Sequence, residues 1–407
     1  MQRLEELDLP EFDHTDPELG GDLWHQRINA LAGQGWLART PLATVVLDRE
    51  ASEEILRSKS AVFPGREVAD LFGIDSGPLR DEIDRNIINI NGDEHRRLRS
   101  LVAPHFSPRA AERHRSEMSD LFGRILDPAI GAGEIDAVDA ICKPYASEAI
   151  AYLIGAARED APLLHDWSFW VQRQFDPTAL AEARSKLERK TAELQAWVRD
   201  LVEEKRGAPS EDLTSLLLVG DEQGDQLSGD EVENLVINVI LGGIDTTQSQ
   251  LAHTIRLFGE YRGQWNSIEA GSPAAAAAAV EESLRYEPVT PFTARLLTDE
   301  IQIRDVLFPA GTLLLVCSFA GNRDPEVFDR PDRFLPASQG DSKGRVLTFG
   351  AGIHYCLGAN LARVEMEEAI RILRQRVEYI ELLPGAEFGN VSGIYAMDRL
   401  PVRLHER

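Results

Sequence analysis

A mainly helical fold with small β-sheets is the fold class that this sequence predicts. Three observations point there. The helical patterns are long and carry their own start and stop signals. The strand-like pieces are short and mostly late in the chain. Neither a sustained alternation of strand and helix nor a glycine-rich phosphate loop is present. No internal repeat is visible, and residues 1–407 are expected to form a single domain around a long central helix.

The first clear element is "SKLERKTAELQAWVRDLVEEK". It sets Leu187, Thr191, Leu194, Trp197, Val198 and Leu201 on one stripe with charges elsewhere, which predicts an amphipathic surface helix. Ser228 followed by Glu231 is a capping box that opens a helical pattern reaching to near Phe258. About thirty helical residues span about 45 Å. A helix of that length, apolar over much of its surface, is expected to cross the middle of the molecule. Ser272 and Pro273 read as N-cap and first residue of the next helix; Ala274 to Ala279 continue it, and Pro288 stops it. The best strands are "EIQIRD", "TLLLVCSF" and "LPVRL". Between the last two, "LGANLARVEMEEAIRIL" is a further helix.

Composition bounds the function. Hydrophobic residues make up 43% and charged residues 27%, an ordinary globular balance. The net charge of −25 repels phosphate backbones, so nucleic acid is excluded as a partner. The N-terminal "MQRLEELDLPEFDHTDPE" lacks the apolar core of a signal peptide, and "NLVINVILGGIDTT" is too short and too polar to span a bilayer. Three cysteines in so long a chain do not form a disulfide framework. A cytoplasmic monomer without membrane contact is expected. Cys142 and Cys317 lie in apolar surroundings and read as buried core thiols.

Cys356 is different. It sits in "FGAGIHYCLGANLAR", with Gly350 and Gly352 before it, Gly358 after it and His354 beside it. A zinc site would need a second Cys/His pair, which is not nearby. Three readings stay open on the residues alone: a glycine-rich turn with a buried cysteine, a nucleophile with His354 as base, or a thiolate ligand. The third has physical support. Glycines let the loop fold with its amides toward sulfur, and the following helix would stabilise a thiolate at its N-terminus. Gly358 would let something flat lie against the first turn, as haem iron bound through sulfur requires.

The same stretch resembles the haem-binding loop of the cytochrome P-450 family, Phe-x-x-Gly-x-x-x-Cys-x-Gly, filled here by Phe349, Gly352, Cys356 and Gly358. Other family-like motifs follow the expected order. "GGIDTT", Gly242 to Thr247, resembles the oxygen-activation motif of the central helix. Glu282 and Arg285 fit Glu-x-x-Arg, and "NRDPEVFDRPDRFLP" resembles the segment before the cysteine loop. "HRRLR", His95 to Arg99, resembles the helix that meets the haem propionates. The resemblance runs from about residue 90 to the end; the first ninety residues match loosely.

The resemblance implies a soluble, bacterial-type haem-thiolate monooxygenase. Haem b would be ligated by Cys356, the one metal ligand, with Phe349, Gly350 and Gly358 around it and its propionates met by His95, Arg99, Arg295 and His354. Asp245 and Thr246 would relay protons, and a hydroxyl hydrogen bond from Thr246 to the Gly242 carbonyl would bend the helix and open a groove for O2. Glu282, Arg285 and Arg333 would form a buried structural triad. Ile240, Leu241, Val289, Thr290, Phe292, Ile394 and Tyr395 would edge a pocket for a hydrophobic small molecule, of the kind met in secondary metabolism. Tyr395 and Ala396 depart from the family's usual Arg-Gly. Lacking a flavin or iron–sulfur domain, the chain would draw electrons from a separate ferredoxin or flavodoxin with an NAD(P)H-dependent reductase. The basic run Arg96, Arg97, Arg99, Arg109, Arg113 and Arg115 would form the docking patch, unless it is only a solvated face. The rival functions are a peroxide-driven or non-hydroxylating member of the family and a non-catalytic haem-thiolate sensor.

Overall fold

The computed structural model describes residues 2–219, 226–336 and 344–407. Its frame is the predicted long helix, Gly229–Glu260. The capping box forms: the Glu231 N–H donates to Ser228 Oγ at 3.2 Å, and the Ser228 N–H donates to the Glu231 carboxylate at 2.8 Å. At 1.5 Å per residue this helix is about 48 Å long. Every residue from Thr247 to Phe258 is buried, as a helix crossing the interior requires. Helices Arg115–Leu126, Lys143–Ile154, Ala161–Val171, Arg184–Gly207, Pro273–Tyr286 and Ala359–Arg376 share its core. In Arg184–Gly207 the predicted stripe is buried except for Trp197, which is half-buried. Pro273–Tyr286 starts at the Ser272 cap and stops two residues short of Pro288.

The β portion is larger than the sequence suggested. "TLLLVCSF" supplies Leu313–Cys317, the middle of a five-stranded sheet. Its order is Leu37–Arg39, Thr44–Val46, Leu313–Cys317, Phe292–Leu297 and Ala61–Val62. "EIQIRD" supplies Ile301–Ile303, which pairs with Val306–Phe308, and "LPVRL" supplies Pro401–Glu406 between Val377–Leu382 and Glu134–Asp136. Strands as early as Leu37–Arg39 and Thr44–Val46 are only three residues long, too short to show a period of two. A second core forms where helix Gly21–Ala32 meets this sheet, around Phe12, Trp24, Phe292, Phe319 and Tyr395.

One buried polar network fixes the segment leading to Cys356. Arg285 and Glu282 are 2% and 1% exposed and pair bidentately, at 2.7 and 2.8 Å. Arg285 also donates to the carbonyls of Asn322, Pro331 and Arg333. Glu282 accepts the Leu335 N–H. Asn322 then holds the Leu347 N–H and the Thr348 hydroxyl. The triad expectation is corrected here: Arg333 contributes its main-chain carbonyl, and its side chain is exposed. Main-chain carbonyls fill the guanidinium donors of Arg285 that Glu282 leaves open.

Candidate functional site

The Cys356 loop turns on two left-handed glycines, Gly350 (φ 69°) and Gly352 (φ 73°). At Gly352 a Cβ would also sit 2.3 Å from the Leu56 carbonyl oxygen, so no other residue fits. The Cys356 N–H donates to the Phe349 carbonyl at 2.9 Å, and Ala359–Arg376 starts three residues later. The Arg363 guanidinium lies 4.5 Å from the centre of the Phe349 ring. Cys142 and Cys317 are buried, whereas Cys356 has accessible surface. Despite that accessible surface, the protein packed around the sulfur raises the Cys356 thiol pKa; the amides of Gly358 and Ala359, Arg99 and Arg363 pull it down without outweighing it. The amides therefore point at sulfur as expected, but alone they do not make the thiolate. A cation bound to sulfur would do so.

Facing open space on the central helix are Gly242, exposed in the middle of a buried helix, and Thr246 one turn on, half-buried. The Thr246 hydroxyl donates to the Gly242 carbonyl at 2.6 Å, while the helix runs unbroken through both. A Cβ at Gly242 would meet nothing within 4 Å. Gly243 has another purpose: a Cβ there would lie 2.3 Å from Ile150 Cδ1, so it is a packing glycine. Asp245 is 7% exposed and accepts from the Ser168 hydroxyl at 3.0 Å. Among the described residues no cation lies within ion-pair distance of it. Burial raises its pKa to about 6, against Ser168, Arg173 and Lys143.

A third group joins two arginines and two histidines. His95 is 2% exposed, and neither of its ring nitrogens has a partner. The His354 ring stands edge-on to it at 4.6 Å and bonds the Asn91 side chain through Nε2. Arg295, also 2% exposed, donates to the Ala294 carbonyl, and its Nε is unpartnered. Arg99 bonds the Tyr355 carbonyl. Burial, then Arg295, His95 and Arg99, lower the His354 pKa to about 3; burial alone lowers that of Arg295 to about 10. Among the described residues none of the four meets a carboxylate. Buried donors left without an anion beside an accessible sulfur fit a flat, dianionic group such as haem, and Gly358, where a Cβ would meet nothing within 4 Å, leaves room for it.

Several pocket expectations are corrected. Phe292 and Tyr395 point into the aromatic core: Phe292 packs 5.5 Å from Trp24, and the Tyr395 hydroxyl accepts the Gly21 N–H at 2.6 Å. Ile240 and Leu241 are 0% and 2% exposed, because the accessible stripe of the helix runs through Asn238, Gly242 and Thr246. Val289 is buried; Thr290 and Ile394 are half-buried. Half of the basic run is neutralised: Arg96 pairs with Asp93, Arg97 with Glu231, and Arg115 with Glu112, Glu367 and Glu368. Arg109 and Arg113 stay exposed. Sequence reasoning missed Ser168, which nothing in its neighbourhood marks. It also missed Glu365, buried at 2% against Thr247, whose pKa burial raises to about 8. No helix among the described residues is long and apolar enough to cross a membrane.

Comparison with known proteins finds relatives along nearly the whole chain. Residues 276–379 match the family model described as Cytochrome P450. Luteothin monooxygenase of Streptomyces thioluteus is 29% identical over 98% of this chain and 96% of its own length. The 6-deoxyerythronolide B hydroxylase of Saccharopolyspora erythraea is 33% identical over 76% of both chains. The crystal structure of CalO2, 27% identical, superposes with a TM-score of 0.89 over 97% of this chain and 99% of that one.

Proposed function

This chain belongs to the cytochrome P450 family, and from that membership we propose that it is a haem-thiolate monooxygenase. It would insert one oxygen atom of O2 into a largely apolar small molecule by hydroxylation or epoxidation. The observation that carries the reading is the pair on the central helix: Asp245, buried and bonded to Ser168 without an ion pair, beside Thr246, bonded to the Gly242 carbonyl on the accessible face. Relatives named for luteothin and 6-deoxyerythronolide B support a substrate from secondary metabolism.

Bound haem b would supply reductive activation of dioxygen and transfer of one oxygen atom. The chain does the rest. Cys356 would hold the iron, with the amides of Gly358 and Ala359 tuning its sulfur. His95, Arg99, Arg295 and His354 would take the propionates, and Phe349, Gly350 and Gly358 would shape the loop and the surface around the sulfur. Asp245 would bring protons through an apolar helix, and Thr246 would hold the water that receives them. Electrons would come from a separate ferredoxin or flavodoxin with its NAD(P)H-dependent reductase. Arg109 and Arg113 are the exposed cations left for docking it.

The test is Cys356→Ser. The purified, reduced wild type should give the red-shifted carbon monoxide band of a thiolate haem, and the variant should lose it. A band unchanged in the variant would remove Cys356 as ligand. Oxygenated product from a wild-type protein supplied with a surrogate ferredoxin and reductase completes the test; no product with any substrate that shifts the Soret band would favour a sensor.

A further inference from the structure

Arg173 is a cation that the proposed function does not use. Arg173 lies in the turn Gln172–Phe175 that continues helix Ala161–Val171, five residues beyond Ser168, the partner of Asp245. It is half-buried. Its guanidinium carbon stands 3.4 Å from the centre of the Phe169 ring, and one amino group donates to the Phe169 carbonyl at 2.6 Å. These two contacts fix its plane. Arg49, Arg115, Arg256, Arg285 and Arg363 are likewise half-buried or deeper, and each has a carboxylate within about 3 Å. Arg173 has none within 4 Å among the described residues. Its Nε and second amino group have no partner, yet they are not among the fully buried unpartnered atoms, so they have access to open space.

The neighbours limit what this cation can serve. Asp245 is near enough to act on Arg173 through its charge, but it is bonded to Ser168. Asp176 and Asp398 also act on it only at longer range. Asn238, on the accessible stripe of the central helix, already accepts the Ile87 N–H at 2.8 Å and faces Glu82, and the Thr246 hydroxyl is bonded to Gly242. Around Arg173 stand three half-buried aromatic side chains, Phe169, Trp170 and Phe175, the last 5.5 Å from Phe63, beside half-buried Gln172 and Asp176. A fixed, unpaired guanidinium fork in an aromatic wall matches a carboxylate on an otherwise apolar molecule.

We propose that Arg173 anchors a carboxylate of the substrate. This rests on the monooxygenase reading and narrows its substrate class from apolar molecules to apolar acids. Two N–H donors remain for a paired contact with both carboxylate oxygens, and charge-assisted bonds of this kind change affinity roughly 10- to 100-fold.

The probes are dodecanoic acid and dodecan-1-ol, titrated calorimetrically into the purified haem-loaded protein. The wild type should prefer the acid at least about tenfold. Arg173→Gln should lose that preference and keep its affinity for the alcohol, and Arg173→Lys should keep part of it. Thermal melting of both variants checks that they fold. Equal affinities in the wild type, or a preference unchanged in Arg173→Gln, would overturn the anchor and leave Arg173 as a packing residue. Calorimetry reads the anchor and the carbon monoxide spectrum reads the haem-thiolate, so either reading fails separately.

Discussion

Removing Arg285 should cost this protein more than any single surface change, and the structure says how much. Arg285→Ala deletes both bonds to the Glu282 carboxylate and the three bonds that tie the carbonyls of Asn322, Pro331 and Arg333 to the helix. Glu282 is then left buried without its cation. Breaking a buried pair in this way costs about 3–5 kcal/mol. With an unfolding entropy of about 2.1 cal/mol/K per residue, a chain of 407 residues loses roughly 1.2 °C of melting temperature per kcal/mol. The expected fall is therefore roughly 4–6 °C. Haem occupancy should fall too, because Asn322 positions Leu347 and Thr348 just before the cysteine loop. Arg333→Ala is the control. Only its carbonyl enters the network, so its melting temperature should move by under roughly 1 °C, the effect of an ordinary surface substitution. Calorimetric melting and haem content measured side by side decide it. If Arg333→Ala is as damaging as Arg285→Ala, or if Arg285→Ala melts like the wild type, the network drawn here is wrong.

The Asp245 and Thr246 variants should fail in different ways. Asp245→Asn should lower turnover roughly 10²–10⁴-fold if the whole general-acid contribution is lost. Thr246→Ala should still consume NAD(P)H but release hydrogen peroxide in place of product; tight coupling there together with normal turnover in Asp245→Asn would sink the relay. Glu82 and Glu365 bear on stability. Burial raises both pKa values to about 8, so each stays protonated in the fold at pH 7 while the unfolded chain ionises. Their contribution is fully present below about pH 4.3, the unfolded value, and is lost as pH rises through about 8. Glu82→Gln and Glu365→Gln should flatten the loss of melting temperature over that window; an unchanged slope in both would show that neither carboxyl is held neutral.

Much of the fold was legible because its signals are local. The capping box at Ser228, the N-cap at Ser272 and the stop at Pro288 all sit within a few residues of what they determine. The cysteine loop was legible for the same reason, since its glycines lie two to six residues from Cys356. What was not legible depends on distance in sequence. Ser168 meets Asp245 across 77 positions, and Arg285 reaches the Arg333 carbonyl across 48. The pocket edge failed on orientation. Phe292 is apolar and near the site, but its position on the strand sends it to Trp24, and the helix phase that exposes Gly242 and Thr246 buries Ile240 and Leu241. Charge counted along the chain also does not show partners such as Glu231 and Glu368, which fold back onto Arg97 and Arg115 of the basic run.

The buried carboxyls of this chain differ in ways that would suit Asp245, and not its peers, to the proposed relay. Glu287 is fully buried, but His25 and Arg256 lie within about 3 Å and outweigh its burial, so its carboxyl is held far below the usual range and stays ionised. Glu82 and Glu365 have no such cation, so burial keeps them protonated up to about pH 8. Asp245 falls between. Burial pushes it up, the Ser168 hydroxyl and the more distant Arg173 and Lys143 push it back, and the balance rests at about 6. A group that must take a proton from one side and give it to the other works best when its pKa lies near the working pH. A cation at bonding distance would have locked Asp245 in the state of Glu287; a drier site without Ser168 would have left it like Glu82. On the proposed function, the neutral hydroxyl of Ser168 is therefore the feature that keeps Asp245 able to change state. Replacing Ser168 with alanine should move the acid limb of the pH–rate profile upward while leaving Cys356 and its carbon monoxide spectrum untouched. A profile that stays where it was would mean that Asp245 does not set that limb.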